Sequence, residues 1–146
     1  MNRTKPGKRS RPQATPSRTF TLEHANRTLP LVRRIVSDAM ALQSHIGQLE
    51  RAAQEAAEQE AQDKLTAMRG EYTAAVDRLR ELAEELAGIG CELKDAQRGL
   101  VDFPAQHDGR LVYLCWMNGE PQVTHWHELD SGFAGRCEIE ADFKAE

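Results

Sequence analysis

Two stretches of the chain carry apolar residues at steps of three and four, the period that places side chains on one face of an α-helix. The first stripe consists of Val32, Ile35, Ala39, Leu42, Ile46, Leu49, Ala53 and Ala56. The second consists of Leu65, Met68, Tyr72, Ala75 or Val76, Leu79, Leu82 or Ala83, and Leu86. Gly88 and Gly90 follow the second stripe and predict its end. The pattern predicts a helical hairpin over about residues 28–87.

The segment between the two stripes, ERAAQEAAEQEAQDK, contains no large apolar side chain and no Gly or Pro that would force a turn. One continuous helix of ~58 residues would be ~87 Å long, which is more than so small a domain could cover. We therefore predict an antiparallel hairpin with its tip within about residues 54–64. The alternative is a homodimer in which long helices form a coiled coil.

The start of the first helix has two signals. Thr21 suits an N-cap, and Glu23 would lie in the first turn, where the helix dipole favours an acid. Because Pro30 has no backbone N–H, we expect it in the first turn of a longer helix that is capped by Thr28.

Beyond Gly90 the pattern indicates strands. RLVYLCWM is rich in β-branched and aromatic residues, and PQVTHWHEL alternates. Asn118-Gly119 between them is typical of a two-residue type I′ turn. Such a turn fixes the register, and it would place Leu114 opposite Val123, Val112 opposite His125, and Arg110 opposite His127. GLVDFPA is a candidate third strand, ended by Pro104.

These elements predict an α+β fold, a long antiparallel helical hairpin packed against a small C-terminal antiparallel β-sheet. With 146 residues the chain suffices for one domain, which we place at residues 19–139 with its β-rich part at about 91–139. The acidic end, residues 140–146, is expected to fray. No run approaches the ~20 apolar residues of a membrane span. Three cysteines without a secretion signal indicate reduced thiols and a cytoplasmic location.

Residues 1–18 form a basic tail, with six Lys or Arg side chains and no acid. The tail contains three prolines and almost nothing apolar, which predicts disorder. One interpretation is a polyanion-binding tail for nucleic acid or an acidic membrane surface. Because no aromatic residue is interleaved among the charges, a solvated tail is the favoured interpretation.

Candidate chemistry is concentrated in the β-rich part. The candidate ligand-binding residues are Glu92, Asp95, Asp102, Arg110, Trp126, His127, Glu128, Asp130 and Arg136. His125 and His127 are two apart on a strand, so their Cα atoms would be ~6.5–7 Å apart on one face. That spacing suits two ligands to one divalent metal ion. Cys115 lies between apolar residues and is interpreted as a small core residue. No catalytic residue is assigned, because HExxH, paired CxxC and glycine-rich phosphate motifs are absent from the sequence.

Three separated runs, GCELKDAQRGLVDFPA, GRLVYLCWMNGE and HWHELDSGFAGR, resemble an uncharacterised bacterial family catalogued as domain of unknown function 2203. FTLEHANRTLPLVRRIV is similar to the family's opening, so that the resemblance covers about residues 19–139. It implies a small cytoplasmic protein with a helical front and a β-rich end. It implies no activity, substrate or cofactor.

The leading hypothesis is a non-catalytic binding or interaction protein with a polar groove at its β-rich end and a protein or a small molecule as its partner. Trp116 would line the groove with the candidate residues above. On this hypothesis His127 contributes to binding and little to packing. The alternative is a metal-dependent enzyme, of hydrolase type, that uses His127 and nearby carboxylates. The amount of metal bound per chain distinguishes the two.

Overall fold

The computed structural model describes residues 18–145, so the predicted basic tail lies outside the described residues except for Arg18. Within this range, two helices are followed by five strands and one short 3₁₀ helix. Their bounds are α1 Leu22–Glu58, α2 Gln62–Ile89, β1 Glu92–Asp95, β2 Leu100–His107, β3 Arg110–Met117, β4 His125–His127, the 3₁₀ helix Phe133–Gly135 and β5 Cys137–Glu138. Each strand is antiparallel to the next, and the sheet order follows the chain. The predicted α+β fold is confirmed. Between residues 18 and 145, no helix has the length and apolar character needed to cross a membrane.

The helical hairpin turns at residues 59–61, inside the range predicted for its tip. The α1 helix does not continue into α2, so each chain forms its own hairpin and the single long helix is excluded. The end of α2 is also where the glycines predicted it. Gly90 has a φ of 112°, a left-handed conformation, and its N–H donates to the carbonyl of Leu86.

The predicted helix start at Pro30 with a Thr28 cap is wrong. Thr21 caps α1, because its Oγ1 accepts the N–H of His24 at 3.1 Å, and the helix then runs through Pro30 without interruption. Proline costs the helix one hydrogen bond. Leu29 and Val32 are fully buried on either side of it, and their packing against the sheet offsets that cost. Thr28 instead donates to the carbonyl of Ala25 at 2.7 Å.

The sheet has an inner face, which packs on the helices, and an outer face, which is turned away from them. The inner face carries fully buried side chains from the two longest strands: Val101, Phe103, Ala105, Val112, Leu114 and Trp116. They share one core with Phe20, Ala25, Leu29, Val32, Ile35, Val36 and Ala39 before and on α1, and with Leu82 and Leu86 on α2. The helical stripes predicted from sequence therefore cover the sheet over part of their length.

The tight hairpin of the sheet lies at Asp108-Gly109, between β2 and β3. Both residues have positive φ, 51° and 74°, as a type I′ turn requires. The β2 strand does not end at Pro104 as predicted. β1 pairs only with residues 100–102, so the edge of β2 at Pro104 needs no N–H for a neighbouring strand, and Phe20 donates its N–H to the Pro104 carbonyl at 2.7 Å.

The predicted register of β3 and β4 is wrong. Tyr113 pairs with His127, Leu114 with Trp126, and Cys115 with His125. The register is shifted by three residues from the prediction, and an odd shift moves side chains to the other face. His127 therefore lies on the outer face rather than opposite Arg110.

Contacts with α1 and β3 explain the longer connection. The carboxylate of Glu120 accepts the Met117 N–H at 2.7 Å. Val123 donates its N–H to Asn26 Oδ1 at 2.7 Å, and Arg33 donates to the carbonyls of Glu120 and Pro121. A tight hairpin at Asn118-Gly119 would have paired the Met117 N–H with the Glu120 carbonyl, and both groups are bonded to side chains instead. Residues 118–124 thus form a loop that is anchored to α1.

Candidate metal centre

Three buried side chains converge on the outer face of the sheet. Asp102 on β2 pairs directly with Cys115 on β3. His127 on β4 pairs with Tyr113, two residues before Cys115, so His127 is a diagonal neighbour of Cys115 on the same face. Their relative exposures are 2%, 0% and 3%. A carboxylate oxygen, the thiol sulfur and an imidazole nitrogen all lie within 4.8 Å of one another. Three strands therefore bring three different metal-ligand types to one point.

The imidazole of His127 is held by both of its nitrogens. Nδ1 is 2.7 Å from the backbone carbonyl oxygen of Glu128, and since a carbonyl only accepts, Nδ1 carries a proton. Nε2 is 3.0 Å from Asp102 Oδ1, so one further proton lies between these two atoms. Metal-bound histidines are commonly oriented in this way, with one nitrogen donating to a backbone carbonyl and the other free to bind the ion.

Burial disfavours the charged forms of the other two groups. It raises the pKa of the Asp102 carboxyl, although the hydrogen bond and the charge of His127 act in the opposite direction. Burial also raises the pKa of the Cys115 thiol to about 12, and the negative charge of Asp102 adds to the effect. A carboxylate and a thiolate without compensation are costly in such a place. Either protons or a bound cation must neutralise them, and coordination would deprotonate the thiol.

The segment from Glu128 to Arg136 begins at this cluster, where the Glu128 carbonyl lies 2.7 Å from His127 Nδ1. The ring of Phe133 lies 5.2 Å from the guanidinium carbon of Arg98, in the turn between β1 and β2, and 5.1 Å from that of Arg136, next to β5. These two arginines stand on opposite sides of β3, so the segment crosses the outer face. Arg136 is fixed by an ion pair with Glu120 at 2.7 Å.

The other residues predicted for a groove are not brought to the cluster. Arg110 pairs with Glu128, with its Nε 3.1 and 3.2 Å from the two carboxylate oxygens, and both side chains are about half exposed. The hydrogen bonds lower the pKa of Glu128 and raise that of Arg110. His125 lies 3.6 Å from the Glu120 carboxylate, outside the cluster.

Two tryptophans face the helices rather than the cluster. Trp116 is fully buried in the core on the inner face. Trp126 contacts His107 and Phe143, with ring centroids 5.2 and 5.3 Å apart. Phe143, in the acidic C-terminal segment, also stacks on His107 at 4.2 Å.

The remaining predicted acids lie at the surface. Glu92 pairs with Lys94 at 3.1 Å, and Asp130 is exposed. Asp95 accepts the backbone N–H groups of Gln97 and Arg98 at 2.9 and 3.1 Å, so its carboxylate serves the turn between β1 and β2. Of the candidate ligand-binding residues, the structure joins only Asp102 and His127 in the cluster, and it adds Cys115.

Thiol reactivity provides a direct check on this arrangement. Cys91 and Cys115 are buried and each has its pKa raised to about 12, whereas Cys137 is exposed. Because the thiolate is the reactive form, one thiol per native chain is expected to react rapidly with Ellman's reagent at pH 8, and all three after unfolding. Rapid reaction of a second thiol in the native protein would contradict the buried position of Cys115 or Cys91.

The fold and the site define a small α+β protein with a buried Asp–Cys–His cluster on the outer face of its sheet. The family model of DUF2203, described as an uncharacterized conserved protein, matches residues 18–139. The chain therefore belongs to the DUF2203 family, as its motifs predicted. Comparison with curated proteins gives no match, and comparison with solved structures gives none either.

Proposed function

We propose that this is a binding protein that holds one divalent transition-metal ion through Asp102, Cys115 and His127. The observation that carries the proposal is the convergence of three buried donor atoms within 4.8 Å. Thiolate, imidazole and carboxylate together are a ligand set of Zn²⁺, since harder ions such as Mg²⁺ and Ca²⁺ prefer oxygen alone.

The dimensions of the cluster support this ligand set. Zn²⁺ binds nitrogen, oxygen and sulfur at about 2.0–2.3 Å, so tetrahedral ligand atoms lie roughly 3.3–3.6 Å apart. Nε2 and Oδ1 are 3.0 Å apart, and no pair of the three donor atoms exceeds 4.8 Å. Small side-chain rotations would therefore suffice to bring the three donor atoms to the separations of a tetrahedral zinc site. The Glu128 carbonyl would remain the outer partner that fixes the imidazole.

We also infer a cytoplasmic location. The three cysteines are free thiols, and two of them are buried. A reducing compartment keeps thiols in this form and available to a metal.

A second candidate, a metal-dependent hydrolase, is supported by the number of ligands. Three protein ligands leave one coordination position for water or substrate, as in catalytic zinc sites. The burial of all three side chains favours the binding function, because a substrate would have to displace the surrounding protein atoms to reach the ion.

The test is the metal content and zinc affinity of protein expressed without a histidine tag. We expect about one zinc ion per wild-type chain by mass spectrometry. Asp102→Asn, Cys115→Ser and His127→Gln should each weaken zinc binding by more than the roughly 10–100-fold typical of losing an outer partner. Glu128→Gln and His125→Gln are matched controls, because these side chains lie beside the cluster without belonging to it, and both should bind zinc like the wild type.

Wild-type protein that binds no zinc in competition with a chromogenic chelator would refute the proposal, and this result does not depend on whether the variants fold. Equal binding by the wild type and by all three folded ligand variants would refute it as well. In the same samples, hydrolysis of an activated ester by zinc-loaded wild type but not by Cys115→Ser would support the hydrolase.

A further inference from the structure

The distal part of the helical hairpin extends beyond the sheet. Among the described residues, the core shared with the sheet includes nothing on α1 after Leu42 and nothing on α2 before Leu79. At 1.5 Å per residue, α1 continues for about 24 Å past that point. We call residues 43–78 the arm. Its two helices bury Ile46, Leu49, Ala56 and Ala75.

One apolar stripe on the arm is covered by no other element in the part of the chain that the structure describes. Leu65, Met68 and Tyr72 recur at steps of three and four, the pattern that predicts a buried helix face. Leu65 and Met68 are only partly buried, however, and Tyr72 is 39% exposed. Together with Leu49 and Ala53 of α1, they line a groove of about 520 Å³ between the helices.

We propose that a second copy of the chain covers this groove, so that two arms form an antiparallel four-helix bundle in a homodimer. Apolar helix faces are stable when they pack against a further layer, and a bundle of four helices provides one. A two-fold axis through the groove would bring the patch formed by Leu65, Met68 and Tyr72 against the same patch of the second copy. Such an arrangement is an isologous interface.

The charges on the groove are self-complementary. Its lining includes one acid on α1, Glu50, and one base on α2, Arg69. Within residues 18–145 neither of them forms an ion pair, although Glu50 accepts a hydrogen bond of 3.4 Å from the Tyr72 hydroxyl. Around a two-fold axis, Glu50 of each copy can meet Arg69 of the other. The same patch thus supplies both signs of charge, which a second copy matches without a foreign partner.

The first test is the molecular mass by sedimentation equilibrium between about 1 and 100 µM. The wild type is expected to have twice the 16.4 kDa chain mass at the upper end of this range. Met68→Glu places a charge in the groove and should yield monomer. Ala67→Glu adds the same charge at an exposed neighbouring position outside the groove, and it should remain dimeric. Circular dichroism would verify that both variants keep their helices.

A charge-reversal cycle tests the two-fold pairing itself. Glu50→Arg and Arg69→Glu each bring like charges together at two symmetry-related places, so each should weaken dimerisation roughly tenfold. The double variant should restore it. Wild type that stays monomeric at 100 µM would overturn the proposal. A dimer that is insensitive to Met68→Glu and to the charge cycle would overturn it too, because its interface would lie elsewhere.

Discussion

Replacing His127 by alanine is expected to lower the free energy of unfolding of the metal-free protein by about 3–5 kcal/mol, the range found when one partner of a buried polar pair is removed. The imidazole is 3% exposed and bonds to Asp102 Oδ1 and to the Glu128 carbonyl. Its loss leaves the buried Asp102 carboxyl without this partner and creates a cavity, whereas the Glu128 carbonyl keeps its longer bonds from the Ser131 N–H and hydroxyl at 3.3 Å. Urea denaturation followed by circular dichroism measures the effect.

His125→Ala is the control for this substitution. His125 lies two residues away on the same strand and the same face, but it is only partly buried and bonds to the exposed Thr124 hydroxyl at 2.9 Å. We expect a cost of at most about 1 kcal/mol. Asp102→Ala combined with His127→Ala should cost less than the sum of the two single variants, because the two residues share one bond. Similar small losses for both histidines would show that the buried pair contributes little.

Replacing Gly99 by alanine is expected to destabilise the fold by about 2–5 kcal/mol, through backbone strain and overpacking together. Gly99 has a φ of 70°, and a Cβ atom there would lie 2.6 Å from Asn118 Cβ and 2.7 Å from Met40 Sδ. Its N–H donates to Asp95 and its carbonyl accepts from Asn118, so it cannot move without breaking the turn. Chemical denaturation measures the loss.

Gly119→Ala separates strain from packing. Gly119 also has positive φ, 103°, but nothing lies within 4 Å of where its Cβ would be. Only the conformational cost of about 1–3 kcal/mol should then remain. If the two alanine variants are equally destabilised, the close approach of α1 to Gly99 does not explain why glycine is required there.

The helical hairpin was predictable because its signal is local and repeated. Apolar steps of three and four continue over many turns, and Gly90 marks the end of α2 by its left-handed conformation. The predicted start of α1 is wrong for a physical reason. Pro30 is unfavourable within a helix, and only the burial of Leu29 and Val32 against the sheet shows why the helix continues through it.

The sheet register was not predictable from turn signals alone, since the chain carries two of them. Asp108-Gly109 forms the tight turn, while Asn118-Gly119 begins a longer loop. The difference is decided by tertiary contacts, above all the bond from Val123 to Asn26, 97 residues earlier. No local pattern reports such a contact.

The error in the β3–β4 register also hid part of the site, because it placed His127 on the opposite face of the sheet from Cys115. Asp102 and His127 could be identified as candidates from their residue types, and the structure brings them together. The apolar sequence neighbours of Cys115 predict a core residue. Only the Asp108-Gly109 register places it opposite Asp102. The aspartate between apolar residues in LVDFP was the one signal of a buried polar position on this strand.

The anchoring of the loop 118–124 to α1 has a consequence for synthesis on the ribosome. Asn26 and Arg33 bind backbone groups that lie 87 to 97 positions later in the chain. At about 5–20 residues per second, the interval between translation of the two partners is roughly 5–20 s. The helical hairpin can form during this interval, but the apolar face of α1 that later covers the sheet stays open to the solvent. The nascent chain therefore presents this face to chaperones until its last quarter has emerged.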